Sequence, residues 1–135
     1  MSSSDSSITL AWVYSDETTE AGREVFQRVG QAGACVPGLW RLEVGNVLEM
    51  GARRKWHDAD FRGASIAGLS RLAIQVDADT DQQAWSATLK LAIRHQLTMY
   101  DAAYLELALR RDLPLATLDI DLRRAAQAEK VPLLG

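Results

Sequence analysis

The chain has little cysteine, no long apolar run and no excess of basic residues, and each absence excludes a class of protein. Its 135 residues include a single cysteine, Cys35, so an internal disulfide is impossible and a reducing, cytoplasmic environment is expected. No apolar run approaches the ~20 residues of a membrane span. The start, MSSSDSS, lacks the basic and apolar parts of a signal peptide. We therefore expect a protein that is neither exported nor inserted in a membrane.

The balance of charge and apolar residues predicts one globular domain. A formal net charge of −3 argues against nucleic-acid affinity from bulk charge, although a local basic patch can exist on an acidic protein. Hydrophobic residues make up 47% of the chain, which is enough to build a core. No internal repeat, low-complexity linker or shift in composition marks a boundary, so residues 1–135 are interpreted as a single domain.

Short apolar runs alternate with helical patterns along the chain. Strands are predicted at 34–37, 73–76, 115–118 and 131–134, and helices at about 8–14, 17–30, 39–55, 58–72, 80–95, around Asp101 and 121–129. Ser6 or Ser7 is predicted to cap the first helix, and Thr80 and Gln83 have capping-box spacing. Strands separated by helices predict a three-layer α/β/α fold with a mostly parallel sheet of four to five strands.

The first four residues are an unusual candidate for a central strand. If Asp5 ends the first strand, that strand must be MSSS, which lacks the valine and isoleucine expected of a strand buried on both faces. It is kept in the predicted fold as a short strand.

Two acids interrupt apolar helix faces. In LWRLEVGNVLEMG, the helical neighbours of Glu43 are Leu39, Trp40, Asn46 and Val47, and Asp101 directly precedes the largely apolar run from Ala102 to Leu105. Because ionised carboxylates among apolar groups are costly unless something positive pairs with them, these positions favour a functional role. A surface or cap position is accepted for Asp16, Glu17, Glu20, Glu24, Asp58, Asp60, Asp112 and Glu129, and a turn position for Asp77 and Asp79.

Three further acids follow predicted strands. Asp5, Asp119 and Asp121 fall at or just beyond strand ends, which neighbour one another in a parallel sheet. Carboxylates that converge there need a counter-charge, and hard oxygen ligands suit Mg²⁺ or Mn²⁺. Such a metal supports phosphoryl chemistry, whereas no pattern in the sequence supports a nucleophilic triad.

At these residues the sequence resembles the PIN-domain family of nucleases, particularly the VapC-type toxins of toxin–antitoxin pairs. The resemblance covers nearly the whole chain through DSSITLAW, LWRLEVGNVL, LTMYDAAYLELA and LPLATLDIDLRRAA. It implies a PIN-like fold and carries the family's acidic positions to Asp5, Glu43, Asp101 and Asp119. Asp121 is an additional ligand or a neighbour of the ligands, and the choice between it and Asp119 stays open. The sequence departs from the family at MSSS, where an apolar strand is normal.

The resemblance implies a Mg²⁺- or Mn²⁺-dependent endoribonuclease in which a metal-activated water attacks a phosphodiester. It also implies a cognate VapB-type antitoxin that blocks the site, and a homodimer. The apolar helix around Tyr104, Leu105 and Leu109 has more apolar surface than one sheet face requires, so it is the predicted contact for a second copy or the antitoxin.

Basic residues that could attract RNA lie in two places. Arg123 and Arg124 follow Asp119 and Asp121 by about one helical turn and are the preferred phosphate contacts. Arg53, Arg54 and Lys55 end the Glu43 helix, where they either extend an RNA track or simply stabilise a helix C-terminus. Arg41 contacts substrate or antitoxin, or forms a surface salt bridge. His57 and His95, near helix ends, are assigned structural or solvent roles.

Two other classes of function compete with a nuclease: a non-catalytic binding module, and an acid-cluster phosphatase or receiver domain. A non-catalytic PIN-like binding module would keep the fold without metal binding, which the poor first strand makes conceivable. An acid-cluster phosphatase would want an Asp-x-Asp pair after the first strand, yet DSSIT offers only Asp5. A receiver domain would want a lysine after a late strand, whereas Lys130 precedes the last one.

Overall fold

Four short strands and eight α-helices make up the computed structural model, which describes residues 1–14 and 20–134. The strands are β1 (Ser2–Ser4), β2 (Ala34–Val36), β3 (Ile74–Val76) and β4 (Leu115–Ala116). The helices are α1 (Ser6–Val13), α2 (Glu20–Ala32), α3 (Trp40–Arg53), α4 (Ala59–Ser70), α5 (Thr80–Gln83), α6 (Leu89–His95), α7 (Met99–Arg111) and α8 (Ile120–Ala128), and a π-helical turn, Ala84–Thr88, joins α5 to α6. The start of the predicted second helix, at 17–19, and the surface positions of Asp16 and Glu17 lie outside the described residues.

The strands form one parallel sheet in the order β3-β2-β1-β4. Ser3 pairs with Cys35 on one side and with Leu115 on the other, so β1 is a central strand. The predicted parallel sheet of four to five strands is therefore confirmed with four. The predicted last strand contributes a single parallel bridge, from Leu133 to Leu115.

The serine-rich first strand is fully buried, and its small side chains explain why it can be. Ser2 and Ser4 place their hydroxyls 3.2 Å apart, and the Ser3 hydroxyl donates to the backbone carbonyl of Tyr104 on α7 at 3.3 Å. Each buried hydroxyl thus has a partner, which removes the cost of burying it. The strand is short but central, as the sequence predicted, and small residues let α7 lie close against it.

Helices cover both faces of the sheet and enclose two groups of core residues. The smaller group joins α1 and α2 to the sheet through Ile8, Val25, Val29, Ala34 and Ala116. The larger group combines residues of α3, α6, α7 and α8 with Val36 and Leu115. The predicted three-layer α/β/α arrangement is consistent with this division. Across residues 1–14 and 20–134, no helix combines the length and the apolar character that crossing a membrane requires.

Two predicted helix caps are wrong. Asp5, rather than Ser6 or Ser7, caps α1, because its carboxylate accepts the backbone N–H of Ile8. At α5, the residue before the helix is Asp79, which makes no side-chain cap bond, while the Thr80 hydroxyl bonds to Asp77. The capping box predicted from the spacing of Thr80 and Gln83 does not form, because the Thr80 hydroxyl donates to the carboxylate of Asp77 instead.

Gly33 ends α2 in a conformation that requires glycine. Its φ is +79°, and a Cβ there would lie 2.6 Å from the carbonyl oxygen of Ala73. This close approach brings β2 beside β3, because the N–H of Ala34 bonds to the same carbonyl at 3.0 Å.

Candidate active site

Asp5 lies at the carboxyl end of β1 and is almost completely buried. One carboxylate oxygen, Oδ1, accepts hydrogen bonds from the Ser7 hydroxyl at 2.6 Å and from the Ile8 N–H at 3.1 Å. The other oxygen, Oδ2, accepts from the Thr117 hydroxyl just beyond β4. The carboxylate is therefore fixed at the point where the two neighbouring strands end.

Thr117 and Ser7 link these strand ends, and neither was predicted to belong to the site. While Thr117 donates to Asp5, its hydroxyl accepts the N–H of Asp119 at 3.0 Å. The Ser7 hydroxyl accepts the N–H of Leu118 at 2.9 Å. A threonine between LA and LD was the available signal, but the acid that it binds, Asp5, is 112 residues away in the sequence.

Glu43 and Asp101 lie in the first turns of α3 and α7. The hydroxyl of Tyr104, also on α7, donates to Glu43 Oε1 at 2.6 Å, so the two helices are joined at their starts. Thr98 caps α7 by accepting the N–H of Asp101 at 3.1 Å. Tyr104 was expected to contact a partner protein, whereas it is buried and orients a site acid.

The electrostatics indicate that these acids share one region. Burial raises the pKa of Asp5, Glu43 and Asp101 above the ordinary values of their carboxyl groups. Neighbouring negative charge raises them further: Asp101 acts on both Asp5 and Glu43, and Asp119 and Asp121 act on Asp101. No lysine, arginine or histidine within the described residues forms a salt bridge with Asp5, Glu43 or Asp101.

Asp119 and Asp121 occupy different surroundings at the start of α8. Asp119 caps the helix, because its Oδ2 accepts the N–H of Leu122 at 2.8 Å. Asp121 is exposed and pairs with Arg124 at 2.6 Å. Asp119 is thus held by the fold, while Asp121 is held only by a surface ion pair that water weakens.

The carboxylate oxygens of the candidate site are chemically suited to a divalent cation, although they do not surround a single point. Carboxylate oxygens are the ligands that Mg²⁺ and Mn²⁺ prefer, and the crowded negative charge favours a cation. Among the residues that the structure describes, no three Asp, Glu, His or Cys side chains are arranged to hold a metal ion.

The basic residues predicted to contact RNA are on the surface or near it. Arg123 donates to the backbone carbonyl of Thr117 at 3.0 Å, which places it beside Asp5 and Asp119. Arg124 pairs with Asp121, Arg53 pairs with Glu49, and the Arg54 guanidinium lies 5.2 Å from the centre of the Trp56 ring. Of these residues, only Arg123 and Arg124 therefore lie next to the acids of the candidate site.

The prediction for Asp77 is confirmed and that for the apolar surface of α7 is wrong in part. Asp77 lies directly before the turn that leads into α5, and its side chain is buried and accepts two hydrogen bonds from Arg110, which also binds Glu106. The predicted surplus apolar surface of α7 is absent at Tyr104 and Leu105, because both pack inside the chain, whereas Leu109 is exposed.

The two histidines take polar partners, in keeping with a structural role. His57 Nε2 lies 3.0 Å from the Tyr14 hydroxyl, and His95 Nε2 lies 2.6 Å from Glu129 Oε2.

Comparison with known proteins agrees with this architecture. The chain is similar to the crystal structure of PAE2754 from Pyrobaculum aerophilum, with a TM-score of 0.64 and 25% identity over 90% of this chain and 83% of that one. It is also similar in fold to Mycobacterium tuberculosis VapC20, a Sarcin-Ricin loop cleaving toxin, with a TM-score of 0.63 and 18% identity over 90% of this chain and 92% of that one. No curated protein matches the sequence. The family model for the PIN domain matches residues 4–128, so the resemblance seen in the sequence is confirmed and the chain belongs to the PIN-domain family.

Proposed function

We propose that the protein is a metal-dependent endoribonuclease and the toxin of a toxin–antitoxin pair. The observation that carries this proposal is the proximity of Asp5, Glu43 and Asp101 at the carboxyl ends of the central strands, where the charge of Asp101 adds to burial in raising the pKa of both Asp5 and Glu43. In an open parallel sheet, that edge is where ligands bind. Membership of the PIN family and the fold shared with the RNA-cleaving VapC20 support the same function.

Asp5, Glu43, Asp101 and Asp119 are the proposed holders of Mg²⁺ or Mn²⁺, with Asp121 as an additional ligand or neighbour. The bound ion would supply an activated water and stabilise negative charge that develops on the phosphodiester. Asp5, Glu43, Asp101 and Asp119 are also the residues that we propose as catalytic.

The surrounding residues would hold these acids in place and orient RNA. Hydrogen bonds from Ser7 and Thr117 fix the Asp5 carboxylate, and the Tyr104 hydroxyl fixes Glu43. Arg123 and Arg124 would contact phosphates beside the acids, because a cationic side chain there offsets the repulsion between RNA and carboxylates. Arg53 and Arg54, at the far end of α3, would extend the RNA track.

A VapB-type antitoxin and a second copy of the chain are the proposed protein partners. The side chains of Trp85 and Ile93 are 90% and 70% exposed, which is unusual for large apolar residues and supports a protein contact. Light scattering of the purified protein would measure the homodimer directly. A cytoplasmic location stays a prediction that rests on the single, buried thiol of Cys35.

Cleavage of RNA by the purified protein tests the catalytic assignment. We expect the parent to cut structured RNA with Mg²⁺ or Mn²⁺ and Asp101→Asn to lose at least about a hundredfold in rate, since a charged ligand is removed without a change of shape. Equal rates for the two proteins would contradict the assignment.

A pair of matched variants separates the two acids at the start of α8. Asparagine caps helices about as well as aspartate, so Asp119→Asn removes charge while keeping the cap. We expect Asp119→Asn to abolish cleavage and Asp121→Asn to reduce it only several-fold. The reverse order would make Asp121 the main ligand.

The competing functions give different results in the same assays. A non-catalytic binding module would bind RNA without cutting it at any metal concentration. A phosphatase would turn over a generic phosphomonoester and leave RNA intact.

A further inference from the structure

An apolar cleft opens directly beside the candidate active site. Its volume is about 450 Å³, and its apolar walls are formed by Leu39, Leu42, Ala84, Met99 and Tyr100. Leu42 and Tyr100 immediately precede Glu43 and Asp101 in the sequence, so the starts of α3 and α7 contribute to both the cleft and the acid cluster. A ligand in this cleft would therefore lie next to a phosphodiester held at the acids.

The wall of the cleft contains a buried polar group that has no partner. Thr88 is 3% exposed, and its hydroxyl is the sole buried side-chain oxygen or nitrogen without a hydrogen bond in residues 1–14 and 20–134. Thr88 ends the π-helical turn, where the carbonyl of Ala84 accepts the N–H of Leu89. Buried hydroxyls nearly always have partners, and π-helical turns often mark functional sites. The missing partner of Thr88 therefore suggests that the cleft binds a ligand.

The charge of the cleft selects the kind of ligand. Asp81 and Asp77, which is paired with Arg110, line it, and no lysine or arginine of the described chain does. The lining offers no cation to hold an anion such as a phosphate, whereas it can accept an uncharged ring that carries amino groups. Tyr100 is 63% exposed and offers a ring face for stacking. The volume lies within the range typical of small-ligand pockets.

We propose that this cleft binds one nucleobase of the RNA, the base adjacent to the phosphodiester held by the acids. The base stacks on Tyr100, and a rotation of the Thr88 side chain toward the cleft brings its hydroxyl to the edge of the base. Recognition of an unstacked base by an aromatic ring and a few polar groups is the usual way in which single-stranded RNA is read. This inference rests on the proposed ribonuclease function and adds a site that selects among bases.

Binding measurements test the cleft without depending on cleavage. In an Asp101→Asn background, fluorescence anisotropy would compare a short single-stranded RNA with a chain of abasic ribose phosphates of the same length. We expect Tyr100→Leu to weaken binding of the RNA about tenfold and to leave binding of the abasic chain unchanged, because the stacking surface is lost. Tyr100→Phe keeps the ring and should bind both probes as the background protein does.

Thr88→Val tests the base edge separately, because valine has nearly the same shape and lacks the hydroxyl. Against oligonucleotides of adenosine, cytidine and uridine, we expect this variant to change the ratio of affinities about fivefold with little change in the abasic chain. Unchanged ratios would remove Thr88 from the proposal.

The outcomes distinguish failure of the cleft from failure of the proposed function. If Tyr100→Leu weakens both probes equally, or neither, the cleft does not bind a base. If it converts a dimer into a monomer in light scattering, the cleft holds a second copy of the chain instead. A parent protein that cuts no RNA would overturn the ribonuclease function itself, whatever the binding results.

Discussion

At the scale of single residues, Thr117 is the group on which the geometry of Asp5 depends. Its hydroxyl donates to one oxygen of the carboxylate and accepts the N–H of Asp119, so one side chain ties together two proposed metal ligands. Burial raises the pKa of Asp5, and the bonds from Ser7 and Thr117 oppose that rise by stabilising the charged form. Loss of the hydroxyl should therefore destabilise the ionised carboxylate.

We expect Thr117→Val to lower the free energy of unfolding by about 2 kcal/mol at pH 7, the range for a hydrogen bond to a charged group. Urea unfolding of the metal-free protein would measure it. The loss should shrink in acid, where Asp5 is protonated and the bond is weaker. Thr117→Ser keeps the hydroxyl and serves as the control. An equal loss in that variant would contradict the role given to the hydroxyl, because serine keeps it.

At the scale of elements, Arg110 joins α7 to the end of β3. Its guanidinium binds the carboxylate of Asp77 at 2.6 Å and that of Glu106 at 2.7 Å, and both acids are nearly inaccessible to water. Burial raises the pKa of Asp77, but hydrogen bonds from Arg110 and Thr80 outweigh that effect, so the net shift is downward. A lowered pKa means that the stabilisation is present above the unfolded value of 3.8 and is lost as pH falls through the folded value.

We expect Arg110→Met to lower the free energy of unfolding by about 4 kcal/mol at pH 7, because two buried carboxylates lose their partner. Denaturant unfolding between neutral and acidic pH would show the difference from the parent narrowing in acid. Arg111→Met, at the next position, removes an exposed guanidinium that contacts only the Cys35 thiol among the described contacts and should cost less than about 1 kcal/mol. Similar losses for the two variants would contradict the role given to Arg110.

The elements also show what the sequence could predict. Periodic apolar residues located α3 to within a few residues, because Trp40, Val44 and Leu48 form one buried face of that helix. Both Glu43 and Asp101 were found for the same reason, since each interrupts such a face. In contrast, the π-helical turn and the contacts of Thr117, Tyr104 and Arg110 depend on groups distant in the sequence, and no local pattern encodes them.

At the scale of the whole molecule, the acid cluster should make the metal-free protein less stable at neutral pH. Burial and the charges of Asp119 and Asp121 raise the pKa of Asp101, so the folded state holds its proton more tightly than the unfolded state does. The free energy of unfolding then falls as pH rises from the unfolded value of 3.8 through the folded one. Asp101→Asn removes this penalty, and we expect the metal-free variant to be more stable than the parent by about 1 kcal/mol at pH 7. Below about pH 4 that difference should vanish.

A divalent ion should reverse this order of stability, because it binds the folded parent and replaces repulsion with attraction. At a concentration about a hundred times the dissociation constant, binding adds about 2.7 kcal/mol, or about 10 °C in Tm for a chain of this length. Thermal unfolding with Mn²⁺, and with EDTA as the control, would measure the shift. We expect Asp101→Asn to show less than half of it, since one charged ligand is gone. If the parent and the variant shift equally, the ion binds elsewhere on the molecule, and the acids at the sheet edge do not form its site.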